Sequence, residues 1–227
     1  MPDHGDLVLL FAHDLRNPLA AIVANLCYLR SAIKSSEPDV RGALADAEMA
    51  CAALDRMTRN LAVIGKASLN GPAQCRPTGL REVVSAAALR AQPAAKLSGV
   101  EMDLDCEDVP QALVDPDLIG LALDNLLSNS IQHSPPGRRV SLRLSSAAHR
   151  VTVTVLDDGP VVPQALREAA LRADGQRSLK SHEGGRYGSG LSLFCAGEAV
   201  RLAGAALAVG ESGGRCAFEI SARVAHC

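Results

Sequence analysis

Apolar side chains at Leu15, Leu19, Ile22, Leu26, Leu29 and Ile33 alternate spacings of four and three, the period that holds one stripe of a helix against a partner helix. A second run, Val40, Leu44, Ala47, Cys51, Leu54, then Met57 or Thr58, Leu61 and Ile64, keeps a similar period. Between them Ser35-Ser36-Glu37-Pro38-Asp39 supplies a turn and the residues that start a helix. The pattern predicts a helical hairpin over residues 1–66. Two helices with one apolar seam each cannot enclose a core. The hairpin must therefore pair with a second copy as a dimeric four-helix bundle or dock on the rest of the chain, and a homodimer is the simpler solution. Residues 67–79 lose the period and gather Gly, Pro and polar residues, which marks a linker.

From residue 80 the pattern is mixed. Helical periodicity near 80–95, 116–133, 163–172 and 189–203 is interleaved with strand-like segments at 100–105, 140–145, 151–156, 206–209 and 216–222. This predicts a second domain, residues 80–227, built as a two-layer α/β sandwich. A chain of 227 residues accommodates these two units. With three Phe, two Tyr and no Trp, their cores must be made of Ala, Leu and Val. A net charge of −2 with scattered Lys and Arg offers no field for a nucleic-acid backbone. The seven Cys are odd in number and contain no C-x-x-C pair, which argues for reduced thiols in a cytoplasm rather than a disulfide framework or a zinc site. The longest apolar stretches, Leu7–Ala12 and Leu19–Leu26, fall short of a membrane span, and no basic flank with a cleavage site begins the chain. The expected protein is cytoplasmic, binds no nucleic acid or membrane, and receives any external signal through a separate sensor protein.

The segment Phe11-Ala-His-Asp-Leu-Arg-Asn-Pro-Leu19 places a His, a carboxylate and an amide on consecutive helical turns. With Leu15 and Leu19 on the seam, Ala12 joins them and His13 faces outward, where a second domain can reach it. Asp14 is positioned to accept a hydrogen bond from one ring nitrogen, which fixes the tautomer and leaves the other lone pair free to attack phosphorus. Asn17 shares a face with His13 and can orient a water for the reverse hydrolysis. Pro18 cannot donate to the Asp14 carbonyl, so the helix loosens just after the nucleophile. The string HDLRNPL resembles the H-box of two-component histidine kinases, and that resemblance implies that His13 is the phosphoacceptor.

A phosphoacceptor needs a donor site. Asp115-Pro116 opens a segment running to His133 that carries Asn125 and Asn129 four residues apart, on one helical face, where amide oxygens can meet Mg²⁺ or phosphates. It resembles the N-box of histidine kinases and of the wider ATPase class containing Hsp90, gyrase B and MutL, which implies Asn129 as the metal ligand. Gln132 stands where a cation is usual, and His133 beside it can replace that charge in part. Val151 to Asp157 reads as a strand running into Asp-Asp-Gly-Pro, similar to the G1 box. The resemblance implies that Asp157 accepts from the adenine amine, while Gly159 permits a tight turn beside the base. Val161 replaces the usual second glycine, and a β-branched residue tolerates no positive φ. Gly184-Gly-Arg-Tyr-Gly188-Ser-Gly190-Leu-Ser-Leu193 resembles the G2 box, with glycine N–H groups offered to phosphate at a helix start. Ser192 stands at the third glycine position. The polar residues 171–187 read as a lid in which Lys180, His182 or Arg186 can meet phosphate.

The boxes run in family order across residues 7 to 222. They imply a Bergerat/GHKL-type ATP-binding domain that uses ATP and Mg²⁺, phosphorylation of His13, and onward transfer to an aspartate of a response regulator receiver domain docked near Arg16. The departures at Gln132, Val161 and Ser192, with no aromatic-rich F-box, motivate an alternative: a histidine phosphotransfer or scaffold protein whose ATP-binding domain is degenerate.

Overall fold

The helical period of the first segment is realised as a helix over residues 22–31, α1, and a long helix Pro38–Ser68, α2. The structure is a computed structural model that describes residues 8, 15, 19–20, 22–31, 38–68, 74–172 and 192–225. It divides into two units, Met1–Gly71 and Pro72–Cys227. In the first, Arg30 Nη1 donates to both carboxylate oxygens of Glu48, at 2.9 and 3.2 Å, and ties α1 to α2. The seam is only partly covered within one chain. Leu19 is buried, whereas Leu15, Ile22, Leu29, Leu54, Met57 and Leu61 are exposed.

The second unit begins earlier than composition indicates. Strand β1, Arg76–Thr78, lies within the expected linker and pairs antiparallel with β3, Ala112–Val114. At three residues each, neither is long enough for an alternating pattern to register. The helix α2 likewise runs on to Ser68 rather than ending at residue 66.

The remaining strands, β2 (Glu101–Cys106), β4 (Arg139–Ala147), β5 (Arg150–Asp157), β6 (Ala206–Ser212) and β7 (Arg215–Arg223), form a five-stranded sheet ordered β2-β4-β5-β7-β6. Only β2 and β4 run parallel; the other neighbours are antiparallel. Period-two alternation sorts the two faces. Val140, Leu142, Leu144, Val151, Val153, Val155, Phe218 and Ile220 are buried, while Arg143 and Glu219 point to solvent. Helices α3 (Leu80–Leu97), α4 (Pro116–His133) and α6 (Ser192–Leu202) supply the second layer, with α4 packed against α3, α6 and β5. A 3₁₀ turn, Gln164–Leu166, and a one-turn helix α5, Arg167–Ala170, stand where a single helix over 163–172 was expected.

Two hairpin turns of equal length are built from very different residues. Ser212 pairs with Arg215, so Gly213 and Gly214 form a two-residue turn with φ of 60° and 77°, the left-handed geometry that matches strand twist. Ala147 pairs with Arg150, which forces the same geometry on Ala148 and His149, at φ of 47° and 65°. A non-glycine residue held there costs about 1–2 kcal/mol. The eight-residue β4–β5 register offsets that strain.

Candidate nucleotide site

Asp115 starts α4. Its carboxylate accepts from the N–H groups of Asp117 and Leu118, at 3.1 and 3.3 Å, and Pro116 follows with a preset φ. The helix is enclosed on most sides, with Ile119, Ala122, Leu123, Leu126 and Leu127 fully buried. That burial fixes which way its polar residues face. Asn125 is itself fully buried, and its Nδ2 donates 3.0 Å to the Leu121 carbonyl one turn earlier. Asn129 is half-buried, and its Nδ2 is buried while donating to none of the described residues. Gln132 is exposed and His133, in the last turn, is half-buried.

Strand β5 delivers Asp157 to the same place. Alternation puts it on the inward face after Val151, Val153 and Val155, so its carboxylate is fully buried at the end of the strand. Such a group must be hydrogen-bonded to persist. Its Oδ2 accepts from Ser130 Oγ at 2.7 Å, and its Oδ1 accepts from the Gly159 N–H at 2.9 Å. Ser130, fully buried beside Asn129, thus joins α4 directly to the end of β5. Sequence reading missed it. The available signal was a hydroxyl interrupting the buried row Leu123, Leu126, Leu127 and Ile131.

Gly159 contributes its N–H rather than a left-handed turn, since it is not among the described glycines with positive φ. Nor is Val161 among the described non-glycine residues with positive φ, so its β-branch imposes no backbone strain. Ser192 is the first residue of α6 and is half-buried. His13, Asp14, Asn17, Gly188, Gly190, Lys180, His182 and Arg186 lie outside the described residues. No cluster of His, Cys, Asp or Glu suited to a metal occurs among the described residues. No described helix is long and apolar enough to cross a membrane.

The arrangement suits an adenine nucleotide. A buried carboxylate at a strand end is a preoriented acceptor for an exocyclic amine, and the buried amide nitrogen of Asn129, one residue from Ser130 and without an acceptor among the described residues, is a donor that a ligand can use. Asn129 also supplies an oxygen of the hard type Mg²⁺ prefers, and a single protein oxygen suffices where phosphate and water complete the shell.

Comparison with known proteins agrees with this geometry. Residues 114–226 match the family described as histidine kinase-, DNA gyrase B-, and HSP90-like ATPase. The adaptive-response sensory kinase SasA of Synechococcus sp. (strain JA-3-3Ab) is 30% identical over 208 residues, 84% of this chain and 52% of SasA. The chain belongs to the histidine kinase family. Among solved structures, the mycobacterial sensor histidine kinase MprB is 26% identical with a TM-score of 0.53, over 66% of this chain and 97% of that one. Full-length ShkA in complex with AMPPNP shares the fold over 98% of this chain, with a TM-score of 0.64 at 18% identity, and the match covers 47% of ShkA. This histidine kinase homologue thus spans about half the length of SasA and of ShkA.

The Ser130–Asp157 bond has a measurable consequence. Ser130→Ala is expected to weaken ADP binding about fivefold and to lower unfolding free energy by about 2 kcal/mol, the net worth of one hydrogen bond to a carboxylate. Isothermal calorimetry and urea denaturation measure the two effects. Unchanged affinity would show that Ser130 serves the fold alone.

Proposed function

We propose that this chain is an ATP-dependent protein histidine kinase that transfers the γ-phosphoryl group of ATP to His13 and then to an aspartate of a response regulator receiver domain. The observation that carries the reading is the buried Asp157 carboxylate, held by Ser130 and Gly159, with the Asn129 amide, unpartnered among the described residues, beside Ser130. Asp157 accepts from the adenine amine, and Asn125, Asn129 and His133 serve the phosphates, to which Gly188 and Gly190 offer backbone N–H groups. Asn129 would hold Mg²⁺, which when bound screens the phosphate charge. Asp14 holds the proton on one nitrogen of His13 while the lone pair of the other forms the N–P bond. The bond from the γ-phosphorus to the β–γ bridging oxygen breaks and ADP leaves with that electron pair. Asn17 orients a water for phosphatase activity toward the phosphorylated receiver.

Exposed Leu54, Met57 and Leu61 on α2, with Ile22 and Leu29 on α1, support a homodimer through the hairpin. The absence of a long apolar helix among the described residues supports a cytoplasmic setting with input from a separate sensor.

Incubation of the purified chain with γ-labelled ATP and Mg²⁺ is expected to give protein-bound label that is acid-labile and alkali-stable, and to give none in EDTA. Absence of label together with absence of ADP binding overturns the kinase reading and favours a phosphotransfer or scaffold role.

A further inference from the structure

The residue after the base-binding carboxylate carries a second, separate set of bonds. Asp158 follows the last residue of β5, and both of its oxygens are engaged: Oδ2 accepts from the Arg139 N–H at 3.1 Å and Oδ1 from Arg215 Nε at 2.6 Å. Arg215 is the first residue of β7, set there by the Gly213–Gly214 turn. Its remaining nitrogens reach three further acceptors: Nη1 donates to Ser141 Oγ at 3.2 Å, and Nη2 to the carbonyls of Arg139 at 2.8 Å and Leu156 at 3.3 Å. One guanidinium thereby ties β4, β5 and β7 together at the end where Asp157 pairs with Val140 on one side and Cys216 on the other.

We propose that Arg215 is a positioning residue for nucleotide binding: through Asp158 it holds the Asp157–Gly159 turn in the conformation that presents the Asp157 carboxylate to the base. This rests on the proposed role of Asp157. The physical basis is preorganisation. A turn already fixed before the ligand arrives loses less conformational freedom on binding. The planar fork suits the task, since a lysine can occupy only one of these positions at a time.

A second arginine holds the chain three residues beyond that turn. Arg167 Nε donates to the Val162 carbonyl at 3.1 Å. Burial raises the Asp158 carboxyl, but the Arg139 N–H together with the Arg215 and Arg138 charges outweigh it, and the pKa lies below the ordinary 3.8. The carboxylate is therefore ionised under all conditions in which the protein is handled near neutrality. The clamp lines an open cleft of about 300 Å³ with Glu101, Gly137 and Arg138, so solvent screens the ion pair and its effect on overall stability is modest. Its effect on the turn is local and is not screened away, because all four Arg215 contacts and the Arg139 N–H bond are directional hydrogen bonds within the sheet end.

The test is ADP affinity of the full chain by calorimetry, with folding checked by circular dichroism. Arg215→Met is expected to weaken ADP binding about tenfold, Asp158→Ala similarly, and the double variant no more than the weaker single one, since both break the same clamp. Arg150→Met is the control. It removes an arginine bonded to Ser221 at the other end of β5 and β7 and should change stability while leaving affinity within twofold. If Arg215→Met does not fold, Arg215→Lys is expected to fold and to bind about threefold more weakly. A wild-type protein that binds no ADP removes this inference and the kinase reading together. Wild-type binding with unchanged affinity in the Arg215 variant that folds, or additive losses in the double variant, overturns this inference alone.

Discussion

Asp157→Ala is expected to weaken ADP and ATP binding by about 100-fold, the largest loss of any single replacement in the second unit. A hydrogen bond to an ionised carboxylate contributes about 1.5–3 kcal/mol, and the upper end applies because this carboxylate is fully buried and already oriented. At roughly 1.4 kcal/mol per tenfold, about 3 kcal/mol is two orders of magnitude. The variant should also unfold more readily, because Ser130 Oγ and the Gly159 N–H both lose their acceptor in a closed environment. Asp157→Asn separates the two effects. It retains an acceptor for Ser130 and the volume of the side chain but brings an amide where a charge stood, so stability should largely recover while affinity stays low. Calorimetry with ADP on both variants decides the matter. Affinity within fivefold of wild type for either variant would show that Asp157 does not recognise the base, whatever it does for the fold.

How far the sequence reveals this site depends on the length of each signal. Helix α4 was legible to the residue, because Asp115-Pro116 announces its start and its apolar period carries on through to His133. Asp157 was legible because four inward positions of β5 in succession end on a carboxylate. What could not be read are pairings between residues distant in sequence. Ser130 meets Asp157 across 27 positions, and Arg215 meets Asp158 across 57. Neither partner carries a local pattern, since a serine in a helix and an arginine opening a strand are ordinary residues until the register is known. The short strands β1 and β3 escaped for the related reason that three residues hold no period. At Val161 the backbone part of the concern does not arise: the chain leaves β5 through an Asp-anchored turn that closes at Gly159, and Val161 is not among the described residues with positive φ. Asn125 shows the limit of reading faces from spacing. It is four residues from Asn129, yet its amide turns back onto Leu121 while that of Asn129 donates to none of the described residues.

His13→Gln is expected to abolish acid-labile labelling from γ-labelled ATP while leaving the dissociation constant for ADP within twofold of wild type. Glutamine approximates the size and polarity of the imidazole but has no lone pair basic enough to attack phosphorus, so the loss should be complete rather than partial. The separation of the two measurements follows from the architecture. Asn125, Asn129, Ser130, His133, Asp157 and Gly159 all belong to the unit Pro72–Cys227, and His13 belongs to Met1–Gly71. The reciprocal pattern is expected of Asp157→Ala, which should lose both binding and label. Of the six histidines in the chain, His133 and His149 are the described ones in the second unit, and His133 is close enough in sequence to Asn129 to be a rival acceptor. Label that survives in His13→Gln and disappears in His133→Gln would transfer the acceptor role to α4 and separate the HDLRNPL motif from the chemistry. Loss of label in His13→Gln with ADP affinity intact would instead identify one unit as the carrier of the phosphoryl group and the other as its source.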